Sequence, residues 1–297
     1  MVATVEDEYK KNKELRADDM KALQEWVRKQ PHLPHVSDFQ LALFLHSCHF
    51  SMEQAKVTIE KFFTYRGAWG DFFANRDPRD PKLQNDMKVS LCSFLPERTP
   101  ENYKLLYFKL VDVDVNKYAV SDCVKLFDMA ISLEFMERGS FDGLVIVVDL
   151  KAFTVGHVLK THITTMKRIL LYVQEAIPIR LKGLHYITLA SVCDLLVPLV
   201  KPFMKKELAH LLHFHDSYET LSKFVPHELL PEDYGGKAPS VKELHAKMQE
   251  SFTENADFFL DEEMLVSNEK LRDRKQSYMD RDLGIGTDGS FKKLDFD

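Results

Sequence analysis

The sequence predicts an α/β protein, a mainly parallel sheet flanked by helices and preceded by a small all-helical unit. Three observations carry that expectation. Between about residues 100 and 190, three strand-like runs alternate with helix-period segments. Strand, helix and strand at that spacing argue for parallel pairing through right-handed crossovers. Residues 1–75 hold only helical patterns, and the turn cluster DPRDP at 77–81 divides the two regions.

In the helical unit, Leu15, Leu23, Trp26 and Val27 share one helical face, which ends at the breaker QPHLP (30–34). Ser37 with Gln40, and Ser51 with Gln54, have capping-box spacing ahead of two short apolar helices. YKLLYFKLVDVD (103–114) alternates and is rich in aromatic and branched residues, so it reads as a strand. Residues 121–139 return to helical spacing, and SFDG (140–143) is a turn. GLVIVVDL (143–150) is apolar throughout, as a strand buried on both faces must be. A long helical segment, 155–177, stops at Pro178, and LHYITLA (184–190) is the third strand. LPEDYGGKAPS (230–240) is loop, after which Ser240 and Glu243 cap a last helix through about Glu250. From about 257 the chain is charged and weakly periodic. The expected units are therefore 1–76, 77–256 and an extension at 257–297.

Composition narrows the function. The 297 residues are 45% hydrophobic and 29% charged, an ordinary globular balance. Cys48, Cys92, Cys123 and Cys193 form no CxxC pair, which points away from zinc and disulfides and toward a reducing, cytoplasmic setting. HFH at 213–215 lacks a supporting carboxylate or thiol at helical spacing, so no metal is expected. A net charge of −6 argues against nucleic-acid binding but leaves room for a local basic patch. The first residues have no apolar signal core, and no run is long and charge-free enough to span a bilayer. GIGTDG (284–289) matches a dinucleotide fingerprint by letter only, since no strand precedes it. No nucleophile motif stands out, so no enzyme is expected.

Residues 194–215, DLLVPLVKPFMKKELAHLLHFH, pose the sharpest question. Val192, Leu195, Leu196, Leu199, Val200, Phe203, Met204, Leu208, Leu211 and Leu212 recur at three and four, one apolar stripe. Pro198 and Pro202 each remove a helical hydrogen bond, so the piece should be two short segments with a bend. It reads either as a surface helix over a core or as a lid whose apolar face closes a cavity and whose lysines meet a membrane.

Those residues carry a resemblance. Residues 177–215 with Lys201-Pro202-Phe203, the loop Leu230 to Gly236, the strand 145–150 ending near Asp149, and the helical unit with FLHSCHFSMEQA resemble the CRAL-TRIO lipid-binding family over about residues 10–255. The likeness is greatest to its animal branch of tocopherol and retinaldehyde carriers, and the ending GSFKKLDFD is similar to those of insect members. The resemblance implies the CRAL-TRIO fold, with an apolar pocket on a sheet floor closed by a gate helix. It also implies one bound hydrophobic ligand rather than a cofactor, exchanged at membranes by a monomer.

On that pattern the pocket lining is Leu126, Phe127, Ala130 and Ile131 on the first crossover helix, then Val148 and Phe153. Ile169, Tyr172, Val173 and Ile177 follow on the second crossover helix, and Ile179, Leu184 and Ile187 lead into the third strand. Leu196, Val200, Phe203 and Met204 come from the lid. For each residue alone, ordinary core packing is the alternative. Tocopherol-carrying members place small hydroxyl residues where Leu126 and Ala130 stand, which favours a retinoid, carotenoid or other isoprenoid here; Ser132, Asp128 and Tyr172 are the candidate polar anchors. Arg180, Lys182, Lys201, Lys205 and Lys206 make a candidate phosphoinositide or membrane rim. The family's N-terminal unit often carries two arginines where His46 and Cys48 stand, which weakens phosphoinositide recognition and suggests pH dependence. Two readings stay open: a carrier of one hydrophobic molecule, and a phosphoinositide-sensing module whose pocket lipid is structural or regulatory.

Overall fold

The structure, a computed structural model, describes residues 2–273. Four helices open it: α1 (Val5–Lys11), α2 (Ala17–Arg28), α3 (Asp38–Ser47) and α4 (Met52–Ala68). The Ser37 box forms as expected: its hydroxyl accepts from Gln40 N–H, and Gln40 Oε1 accepts from Ser37 N–H at 3.0 Å. Ser51 stands at the start of α4, but its side chain makes no cap bond. Leu23, Leu41, Leu45, Ile59 and Phe63 form the buried centre of this unit.

DPRDP does more than turn the chain. After α5 (Gly70–Phe73), Asp80 caps and Pro81 opens α6 (Pro81–Val89). Proline suits a first turn, where its missing N–H leaves no bond unmade. This helix runs directly into β1 (Ser90–Phe94).

Four further strands follow: β2 (Lys104–Leu110), β3 (Leu144–Asp149), β4 (Leu181–Ile187) and β5 (Leu212–His215). They lie side by side in chain order, β1 antiparallel to β2 and the rest parallel. The predicted sheet had three strands; β1 and β5 are additions at its two edges. The sequence signal for β5 was hidden because Leu208, Leu211 and Leu212 continue the three-and-four spacing of the apolar stripe. Pairing of Leu212 with Leu184 on the sheet edge takes the chain out of helix there.

The crossovers are α7 (Val120–Arg138), the pair α8 (Val155–Leu159) and α9 (Ile163–Glu175), and α10 (Ala190–Val200). The predicted single helix over 155–177 is thus two. Each crossover adds the next strand in the same direction, and right-handed connections then put all of them on one sheet face. Leu106, Ile146, Leu184 and Leu212 stand in register across four strands and belong to that face. The opposite face is covered by α11 (Tyr218–Leu221) and the loop 230–236. Along the outer edge of β1 lies α12 (Val241–Glu254), whose Met248 Sδ accepts from Cys92 N–H at 3.3 Å. An edge covered this way is closed to stray strand pairing.

The chain from 257 onward reads in sequence as a charged, weakly periodic extension. Its described part runs along α13 (Ala256–Glu263) and returns to the helical unit. Ser267 N–H donates to Phe63 O at 3.1 Å and Asn268 N–H to His32 O at 2.7 Å. Arg272 then reaches Glu60 and Thr64, both at 2.6 Å. GIGTDG and the ending GSFKKLDFD lie outside the described residues.

Candidate functional site

Between the sheet and its crossover helices lies an apolar cavity of about 160 Å³. Its floor follows from strand parity: Leu106 and Phe108, Ile146 and Val148, Leu184 and Tyr186 alternate toward it. Val120, Cys123, Val124 and Phe127 of α7 form one wall, and Met166, Ile169, Leu170 and Val173 of α9 another. Phe153 closes one end and Leu196 of α10 roofs it.

Of the residues expected to line a pocket, Phe127, Val148, Phe153, Ile169, Tyr172, Val173, Leu184 and Leu196 do line this cavity. Leu126 and Ala130 are buried elsewhere on α7, whose cavity face is the Val120–Cys123–Val124–Phe127 line. Ile187 pairs with Asp149 and faces the other side of the sheet, because three residues along a strand reverse the side chain from Leu184. Ile179 is half-buried against the main core. Ile131 and Ile177 line a different cavity, beyond α7. Val200, Phe203 and Met204 pack with Met166 and Leu170 in a small separate cluster, beside the cavity rather than in it. The missed positions Ile146, Tyr186, Leu106 and Phe108 were readable from period two, counted from Val148 and Leu184.

Of the proposed polar anchors, Asp128 and Tyr172 are otherwise engaged, and Ser132 lines the cavity beyond α7. Asp128 accepts from Arg66 at 3.0 Å, from Arg76 and from the Tyr172 hydroxyl, while Glu262 pairs with both arginines at 3.4 and 3.0 Å. Burial pushes the Asp128 carboxyl up, but the two guanidinium groups outweigh it and hold it below the usual carboxylate range. This network ties α4, the segment before α6, α7, α9 and α13 together. Tyr172 lines the cavity, whose other polar lining residues are Tyr118, Cys123, Thr161 and Tyr186.

The sequence motifs around Asp149 and Tyr234 have a structural role on the opposite face. Asp149 accepts from Tyr218 at 2.7 Å, Tyr107 at 3.2 Å and Tyr234 at 3.4 Å, and pairs with Lys109. Gly235 has φ +82°, and a Cβ on Gly236 would stand 1.8 Å from the Leu230 carbonyl oxygen. Neither position accepts a side chain without rebuilding the loop that aims Tyr234.

The basic residues do not act alike. Arg180 Nε donates to the His46 carbonyl at 2.9 Å, and its guanidinium lies 5.9 Å from the Phe50 ring centre. Lys182 Nζ sits 5.5 Å over Tyr103, and Lys205 pairs with Glu175 at 2.9 Å. Lys201 and Lys206 are exposed. His46 is buried, and burial with the nearby Arg180 lowers its pKa to about 4, so it is neutral near pH 7 rather than partly charged. Next to the lid, Leu159 is 74% exposed, Ile163 51% and Leu189 50%. Among the described residues no helix is long and apolar enough to cross a membrane, and no group of His, Cys, Asp or Glu is arranged to hold a metal.

A helix-roofed apolar cavity on a parallel sheet, behind a helical unit, defines the CRAL-TRIO class, and the chain belongs to that family: the CRAL/TRIO domain pattern matches residues 88–236. Family members bind lipophilic ligands and transfer them. Residues 12–83 match the Pinta-like UBA domain. The chain is 24% identical to mouse (Mus musculus) "Alpha-tocopherol transfer protein-like" over 80% of its own length and 70% of that protein. It is 20% identical to rat (Rattus norvegicus) Clavesin-2 over 97% of its length and 90% of the relative. The crystal structure of Sfh5 shares the fold, with TM-score 0.54, 14% identity, and coverage of 84% of this chain and 98% of that one.

Proposed function

We propose that the chain carries one small hydrophobic molecule beneath α10, a tocopherol, retinoid, carotenoid or similar isoprenoid, and delivers it at membranes as a cytoplasmic monomer. The observation that carries the reading is the cavity lining, apolar on the sheet floor, on both helical walls and on the roof. At about 160 Å³ it is smaller than the ~300–1,000 Å³ of most ligand sites. A lipid therefore enters only if the roof moves. The roof suits that role: Val192 and Leu196 belong to one small apolar cluster and Val200 to another, both apart from the main core. Burial of the ligand at ~25 cal/mol per Å² makes release into water unfavourable. The exposed Leu159, Ile163 and Leu189 beside the lid supply an apolar surface for membrane contact. Exposed Lys201 and Lys206 next to it would draw anionic headgroups, phosphoinositides included, each worth about 1 kcal/mol near the surface.

Native mass spectrometry of the tissue-purified protein, followed by organic extraction and absorbance, tests this. The expected result is a bound hydrophobe that Val148→Trp, which fills the cavity, removes. A chain that emerges empty yet binds phosphoinositide vesicles would overturn it in favour of the membrane-sensing module.

A further inference from the structure

Beyond α7, on the side away from the lid, the structure holds a larger cavity of about 430 Å³. It lies where the helical unit meets the sheet domain. Leu43 and Phe44 of α3, Phe62 of α4, Phe135 of α7, Ile177 and Phe258 of α13 supply its apolar walls. Its volume falls within the ~300–1,000 Å³ of ordinary small-molecule sites. Of its polar lining residues, Ser37, Gln40, Asp128 and Glu262 are bonded to neighbours. Ser132 is 7% exposed, lines the cavity, and its hydroxyl has no hydrogen-bond partner among the described residues. The hydroxyl is thus free to meet a ligand's hydrogen bond inside the cavity.

We propose that this cavity, centred on Ser132, is a second apolar binding site, taking a neutral lipid alcohol whose hydroxyl meets Ser132. The ligand is neutral because the charged groups at the inner wall, Asp128 and Glu262, are already matched by Arg66 and Arg76, so a charged head would enter unpaired. His35 and Asp261, both exposed, stand at the mouth and leave room for a polar end in water. The site exists only because the chain returns: Phe258 belongs to α13, and the Ser267 and Asn268 backbone bonds fasten that segment to the helical unit. The proposal is independent of the lid cavity, since the two cavities use different faces of α7.

The test is photolabelling of the full chain with a diazirine-bearing isoprenoid alcohol, with labelled peptides mapped by mass spectrometry. The expected pattern includes α3 and α13. Ser132→Phe, which fills the cavity, should abolish that label and spare label on α9 and α10. Ser132→Ala should weaken it about fivefold, the value of one neutral hydrogen bond. Wild-type label confined to α9 and α10, or α3 and α13 label that survives Ser132→Phe, would overturn the proposal. If Ser132→Phe does not fold, the wild-type map and Ser132→Ala decide. Absent label on α9 and α10 counts against the lid reading alone.

Discussion

Arg180 holds the carbonyl of His46 at the end of α3, with its Nε 2.9 Å away, and so joins the start of β4 to the helical unit. A residue first read as part of a headgroup rim is also a structural clasp. Arg180→Ala should lower stability by about 1.5–3 kcal/mol, the usual value for a hydrogen bond to a charged donor. Urea denaturation measures this, and no change in midpoint would show the clasp to be idle. Loss of vesicle binding in Arg180→Ala could therefore reflect unfolding, and Lys182→Ala is the cleaner probe of headgroup contact.

Asp128 sits between Arg66 and Arg76 in the interior. Asp128→Asn leaves two buried guanidinium groups with only Glu262 to answer them. The expected cost is about 3–5 kcal/mol. Adding Arg76→Met should recover part of it, because the charge left unmatched is then removed. Additive losses in the double variant would mean that the pair does not interact.

On the far face of the sheet, His185 Nδ1 lies 3.0 Å from His215 Nε2, and the His185 ring stacks on His213 at 4.9 Å. Burial and then the two neighbouring histidines lower the His185 pKa to about 3, while His213 and His215 are lowered chiefly by burial, with Asp216 acting weakly the other way on His215. The unfolded chain takes up these protons near pH 6.5, before the folded chain does. Stability should thus be full above about pH 6.5 and fall as pH drops toward 3. Midpoints of urea unfolding across that window test the sign, and His185→Phe should flatten the acid limb. An unchanged limb would assign it to other groups, the buried His46 first among them.

Phe203 packs with Met166, Leu170 and Val200 at the end of the lid. Phe203→Asp puts a carboxylate into that cluster, whose desolvation should loosen the lid and speed ligand release at least about tenfold. Transfer of a fluorescent lipid between vesicles measures the rate. Retention and transfer both equal to wild type would remove α10 from the mechanism.

The central strands and crossover helices were legible because each depends on local pattern: the continuous apolar run of β3, the alternation of β2, the capping box of Ser37. What escaped depended on partners distant in the chain. Leu184 and Ile187 were both assigned to the pocket, though strand parity sends them to opposite faces. On α7 the hydrophobic residues surround the helix, so its sequence does not say which line faces the sheet; Leu126 and Ala130 were as apolar as Val124 and Phe127. Asp128 and Tyr172 resembled ligand anchors until Arg66 and Arg76, more than fifty positions earlier than Asp128, came to meet them. The strand β5 continued a helical stripe by letter and left it by pairing.

The return of the chain to Phe63 and His32 has a consequence for synthesis. The helical unit leaves the ribosome first, but Ser267 and Asn268 emerge about two hundred positions later. At about 5–20 residues per second that interval is roughly 10–40 s. Throughout it, Glu60 and Thr64 wait without Arg272, and Arg66 and Arg76 without Glu262. The nascent helices are therefore provisional, and a ribosome stalled short of α13 would display a unit with exposed backbone and unmatched charge, a natural target for chaperones.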